Sequence, residues 1–179
     1  MKLIRYLFQF LALGYIMSSI VEVTKPWIDV KRYREDRFRE ALYEAELAER
    51  FLNNGLLRNA AGKAYQAVKA YVAGLAVDYR DELAKHYPGV RRLGPGRVVD
   101  RVDWLIAVMP SSRLREVASI IGDRELRLYV EIALNLHEFQ YNGLDKDSEV
   151  SRYPSEELVK RDISDVVNFI RDRLRNRIK

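Results

Sequence analysis

The sequence predicts an all-α fold, an up-and-down helical bundle with an extra apolar helix at its N-terminus. Three observations carry this. Apolar residues recur at three- and four-residue spacing through most of the chain. No stretch alternates apolar and polar residues as a half-buried strand would. Asn53-Asn54-Gly55 is a turn short enough to fold one long helix back against the next.

The centre of the bundle is read at residues 55–79, GLLRNAAGKAYQAVKAYVAGLAVDY. This run has no proline and many strong helix formers. On a helical wheel Leu75, Val68, Ala61, Val72 and Tyr65 share one sector, and Gly74, Ala67, Tyr71 and Ala64 the next. That apolar arc is wider than a surface helix needs. The second sector is mostly small, so a neighbouring helix can approach closely. Arg58, Asn59, Gly62, Lys63, Gln66 and Lys69 take the other side.

The remaining helices follow from their stripes and caps. Asp29 is the expected N-cap of a helix over about 30–53, with Phe38, Ala41, Leu42, Ala45, Ala48 and Leu52 inward. Residues 87–97 read as a loop, because Pro88, Gly89, Gly94, Pro95 and Gly96 punctuate them. A helix is expected over about 98–109, with Val98, Val102, Leu105, Ile106 and Met109 on one side. Pro110 ends it, and Ser111 or Ser112 is expected to cap a short helix to about 121. A further helix is expected over 124–141. Ser155 should cap the last one, with Leu158, Val159, Ile163, Val166, Val167, Ile170 and Leu174 inward.

Domain organisation is simple. Residues 26–179 form the bundle, and residues 1–25 stand apart as an apolar segment. Residues 3–23 carry only Arg5 and Glu22 as charges and are about long enough to span a bilayer. Three readings of them remain open: a signal anchor in contact with a membrane, a helix docking on the domain or a partner, or a mis-assigned start upstream of Met17.

Composition narrows the chemistry. The 179 residues are 48% hydrophobic and 32% charged, which excludes a disordered chain and a polytopic membrane protein. The formal charge of +5 is compatible with nucleic acid without requiring it. With no cysteine and two histidines, thiolate chemistry is excluded and a transition-metal site is not expected. No cofactor motif occurs. A cysteine-free, ion-rich chain suits the cytoplasm of a thermophile, with the membrane anchor as the alternative location.

The run R-N-A-A-G-K-A-Y-Q-A-V-K-A at residues 58–70 resembles the archaeal PaREP family. Three further features match in order: Glu44-Ala45 to Ala48, M-P-S-S-R-L from Met109, and L-H-E-F-Q-Y from Leu136. The likeness covers about 33–143. That family in turn resembles the HEPN domains (higher eukaryotes and prokaryotes nucleotide-binding), four-helix bundles that are often dimeric and often RNases. The resemblance implies a homodimer that engages RNA or nucleotide.

HEPN RNases carry an arginine, then four to six intervening residues, then a histidine on a late helix. The imidazole moves protons and the guanidinium holds the phosphate as charge develops. The matching histidine here is His137, but Val130, Glu131 and Ile132 stand where the arginine belongs. Arg127 lies too far round the helix. His137 also falls among Leu126, Val130, Ala133 and Tyr141, an apolar arc where a lone histidine is usually a core group. A second match, Arg80 with His86, has the spacing but lies at the end of the central helix. Arg91, Arg92 and Arg97 precede a helix N-terminus and are the candidate phosphate contacts, against the plainer reading of a solvated basic turn.

The expectation is therefore a non-catalytic binding module. Two alternatives remain: a metal-independent RNase using His137 or the Arg80/His86 pair, and a subunit that docks another protein.

Overall fold

The computed structural model describes residues 24–147 and 149–175. The apolar segment at 3–23, with its three readings, lies outside the described residues. Within them no helix is long and apolar enough to cross a membrane.

The chain runs α1 (Val30–Asn53), α2 (Leu57–Ala76), α3 (Arg80–His86), β1 (Val90–Gly94), β2 (Arg97–Asp100), α4 (Arg101–Val108), α5 (Leu114–Ile121), α6 (Arg124–Asn142) and α7 (Glu156–Leu174). The four long helices α1, α2, α6 and α7 make the core, and α3 to α5 with the hairpin form an insertion between α2 and α6. The all-α expectation is borne out.

Caps explain where the helices begin. The Asp29 carboxylate accepts from the Arg32 amide at 3.0 Å, so α1 starts at the expected residue. Asp123 does the same for α6 through the Leu126 amide at 3.0 Å, and Ser155 for α7 through the Leu158 amide at 3.4 Å. The α1–α2 turn closes with Gly55 at φ +73°, a left-handed conformation that glycine adopts without strain.

Helix α2 is enclosed by its own chain. It packs against α1, α6, α7, α5 and α4, and Ala60, Ala61, Ala64, Ala67, Val68 and Val72 are fully buried. Two glycines of α2 mark close helix approaches, and one of them, Gly74, lies in the small sector of the wheel. A Cβ on Gly74 would lie 2.6 Å from Cε1 of Phe38 on α1, and one on Gly62 would lie 2.7 Å from Cδ of Gln140 on α6. Gly62, which the wheel sets among the polar residues of the other side, therefore faces a helix. Ala67→Leu in this sector is expected to cost ~1–3 kcal/mol through overpacking, read as a lower urea midpoint. An unchanged midpoint would show room beside Ala67.

Five expectations need correction, the first at Leu158, which the stripe of the last helix places inward and which is exposed on α7. The central helix is not continuous to residue 79. It stops at Ala76, and the amides of Asp78, Tyr79 and Arg80 bond three residues back, to Leu75, Ala76 and Val77. Tight i→i−3 bonding there turns the chain into α3, held by Arg34 on Asp78 at 2.9 Å. Residues 87–97 are not all loop: β1 and β2 pair antiparallel, Arg91 opposite Val99 and Arg92 opposite Val98. Val98 is consequently 52% exposed on a strand and not inward on a helix. Finally, neither Ser111 nor Ser112 caps a helix with its side chain. They open a 3₁₀ turn, Ser111–Arg113, that runs into α5.

Candidate functional site

Two places gather the residues that could do chemistry. The first is a polar seam where α2, α6 and the Met109–Ser111 turn meet. His137 leaves α6 and stacks on Tyr65 of α2, ring centroids 4.0 Å apart and 17° from parallel. Tyr141, one turn on, meets its edge at 5.4 Å. Burial raises the pKa of the Tyr65 phenol, and Ser111 on the turn opposes this. Met109 reaches the turn with φ +42°, the one non-glycine residue at positive φ among those described.

The apolar arc expected around His137 is thus an aromatic sandwich. Burial lowers its pKa from the ordinary value, a bond with Gln140 opposes this, and the charge of Lys69 adds to it. Its Nδ1 atom is buried without a hydrogen-bond partner. Lys69 is half-buried, and its pKa is lowered by burial and by Arg37, with Glu40 opposing. Among the described residues its ammonium has no hydrogen-bond acceptor or ion-pair partner.

The sign of the His137 linkage is clear. The unfolded histidine, near 6.5, binds protons that the folded one refuses. The contribution is full above about pH 6.5 and is lost as pH falls through the lower folded value. Chemical denaturation at stepped pH should show stability falling over that window, and His137→Gln should flatten the slope. An equal slope in the variant would place the acid sensitivity elsewhere.

Arg37 beside the seam is committed to structure. Its Nε donates to the Tyr33 hydroxyl at 3.0 Å, Nη1 to Glu40 at 2.7 Å and Nη2 to the Ala107 carbonyl at 2.8 Å. Tyr33 in turn donates to the Ile106 carbonyl at 2.6 Å. These bonds satisfy carbonyls at the C-terminal end of α4 that the helix leaves free.

The Arg80/His86 pair is split by the fold. The two residues stand at opposite ends of α3, and His86 is exposed. Arg80 donates from Nε and Nη2 to both carboxylate oxygens of Asp103, at 2.7 and 2.9 Å, and from Nη2 to Asp100 at 2.6 Å. A guanidinium so engaged ties α3 to α4 and to the end of β2.

The second place is the hairpin. Residues directly opposite in an antiparallel pair share a face. Arg91 therefore lies on the side of Val99, the inner one, and its guanidinium carbon is 3.5 Å from the ring centroid of Trp104. Arg92 shares the outer face with Val98. Arg97 follows Gly96 at the turn. All three arginines are exposed.

The sequence points to His137 but not to Lys69, Gln140 or Tyr65 as its neighbours, nor to Ser111 beside Tyr65. The signal was present. Tyr65 and Lys69 lie in the 58–70 run, Ser111 in M-P-S-S-R-L, and Gln140 in L-H-E-F-Q-Y, and the fold brings those three stretches to one seam.

These features define a helical-bundle protein with an aromatic-cationic seam and a small basic hairpin. The chain belongs to the archaeal PaREP1/PaREP8 family, whose model matches residues 36–164. That span contains Lys69, Arg80, His86, Arg91, Arg92, Arg97 and His137. No curated protein and no solved structure matches the chain.

Proposed function

We propose that this PaREP chain is a non-catalytic, HEPN-like RNA-binding module that works as a homodimer. One observation carries the RNA reading: the hairpin presents three exposed arginines, and Arg92 and Arg97 have no carboxylate partner among the described residues. Arg34, Arg80, Arg115, Arg152, Arg171 and Arg173 are each held in ion pairs. Guanidinium groups left unpaired on an exposed ribbon are available to phosphate oxygens.

Binding through them is electrostatic. Three phosphate contacts on a single strand give a log–log salt slope of about −2. Fluorescence anisotropy with a labelled single-stranded RNA should show that slope. Changing Arg91, Arg92 and Arg97 together to alanine should weaken binding roughly ten- to a hundredfold and flatten the slope. Affinity indifferent to salt and to the triple change would rule the hairpin out.

The module is proposed to be non-catalytic because RNA cleavage by imidazole needs both a base and an acid. The seam holds one imidazole, Glu40 beside Lys69 is paired with Arg37, and His86 stands on α3. Incubated without metal, a mixed single-stranded RNA should remain intact. Cutting by the native chain that His137→Ala abolishes would establish the RNase reading instead. The dimer rests on the HEPN likeness and not on an apolar face of α2, which is enclosed within one chain. A light-scattering mass equal to the 21.0 kDa of one chain would overturn it.

A further inference from the structure

We propose that Arg91 and Trp104 form a stacking platform at the hairpin, on which an unpaired base of a single strand lies flat against the Arg91 guanidinium. The platform rests on the RNA reading and deepens it: the substrates are single strands with open base faces, not duplexes.

The geometry of one contact carries this. Five arginines lie over aromatic rings among the described residues. Arg34, Arg37, Arg113 and Arg173 stand 5.0, 5.1, 5.9 and 5.3 Å from their ring centroids. Each of these four is paired with a carboxylate, of Asp78, Glu40, Glu116 and Asp123 in turn. Arg91 stands at 3.5 Å, the spacing of flat groups in van der Waals contact, and meets no carboxylate among the described residues.

The platform is firm below and open above. Trp104 is half-buried on α4 and packs against the core. Val99, on the same face of the ribbon as Arg91, is 8% exposed. Arg91 itself is exposed, which leaves the side of its guanidinium turned from the indole open to a second flat partner. Bases stack on guanidinium planes as they do on aromatic rings. An arginine already laid on an indole loses little freedom when a base arrives. Its edge N–H groups still reach a neighbouring phosphate. A duplex hides its base faces except at the ends, so the platform gains nothing from it. Arg92, on the outer face with Val98, has no ring beneath it among the described residues and meets the backbone alone.

Fluorescence anisotropy at constant salt tests this with three labelled RNAs of one length. They are an adenine strand, the same strand with several internal bases removed, and the adenine strand annealed to its complement. The native chain should bind the abasic strand about tenfold more weakly than the intact one. Arg91→Lys keeps the charge and loses the plane. It should weaken the intact strand about tenfold, leave the abasic strand and the duplex unchanged, and preserve the salt slope. Arg92→Ala should weaken intact and abasic strands by the same factor. The platform alone is overturned if the native chain binds intact and abasic strands equally, or if Arg91→Lys weakens all three RNAs alike or none of them. A native chain that binds none of the three overturns the RNA reading and the platform with it.

Discussion

Gly74→Leu is expected to lower stability by roughly 3 kcal/mol, the upper part of the range for overpacking a core. A glycine in the middle of a helix ordinarily costs about 1 kcal/mol against alanine, so replacement there should help if space allowed. Space does not allow it. A Cβ at this position would lie 2.6 Å from Cε1 and 2.7 Å from Cδ1 of Phe38. The Phe38 ring is 2% exposed, with Tyr71 at 5.8 Å on one side and the Arg34 guanidinium at 5.0 Å over its face. It can yield only by pushing α1 from α2. Urea denaturation should show a lower midpoint with an unchanged m-value. Even Gly74→Ala should fail to gain the helix-propensity increment, and a stabilised alanine variant would show that the ring moves aside freely.

Arg80→Ala should cost roughly 2–3 kcal/mol. The change strands Asp103, which is 8% exposed and receives two hydrogen bonds from that one guanidinium. Breaking a fully buried pair costs more, about 3–5 kcal/mol, but the Arg80 side chain keeps about a third of its exposure, so solvent screens part of the loss. The double change Arg80→Met with Asp103→Leu should recover most of the stability, because no charge is then left alone. Arg80→Lys should recover little, since an ammonium cannot reproduce the fork. If the double variant is no more stable than Arg80→Ala, the pair does more than neutralise Asp103. A loss of RNA cleavage in Arg80→Ala with stability unchanged would return Arg80 to a catalytic role.

The long helices were legible because period, cap and length agree in each. Asp29 and Ser155 were read as caps and are caps, since an N-cap is a local event three residues wide. Of the neighbours of His137, Tyr141 is legible for the same reason: the two lie one turn apart on one helix. What the sequence hid is set by distance along the chain. Arg80 satisfies a short spacing pattern with His86, yet its partners are Asp100 and Asp103, brought to it by the hairpin. The hairpin itself looks like loop in the sequence because Val90–Gly94 and Arg97–Asp100 are too short for alternation to register. Val98 then fitted a helical stripe as well as it fits a strand. Tyr65 and Lys69 meet His137 only after separated segments fold together, so no window over one segment reveals the seam.

The hairpin and the central helix should keep very different time. A two-stranded ribbon is marginal by itself, and this one has Val90, Arg92 and Val98 exposed and its inner face resting on Trp104. Its amides should trade hydrogen for deuterium through local opening, without the bundle unfolding. The amides of α2, shut in by α1, α6 and α7, should wait for the whole molecule to open. A phosphate strand gripping the ribbon would therefore slow exchange at Arg91 to Val99 first and leave the slowest amides of α2 nearly as they were. A ligand held on the ribbon would thus tighten the edge of the chain while its centre stays as it is.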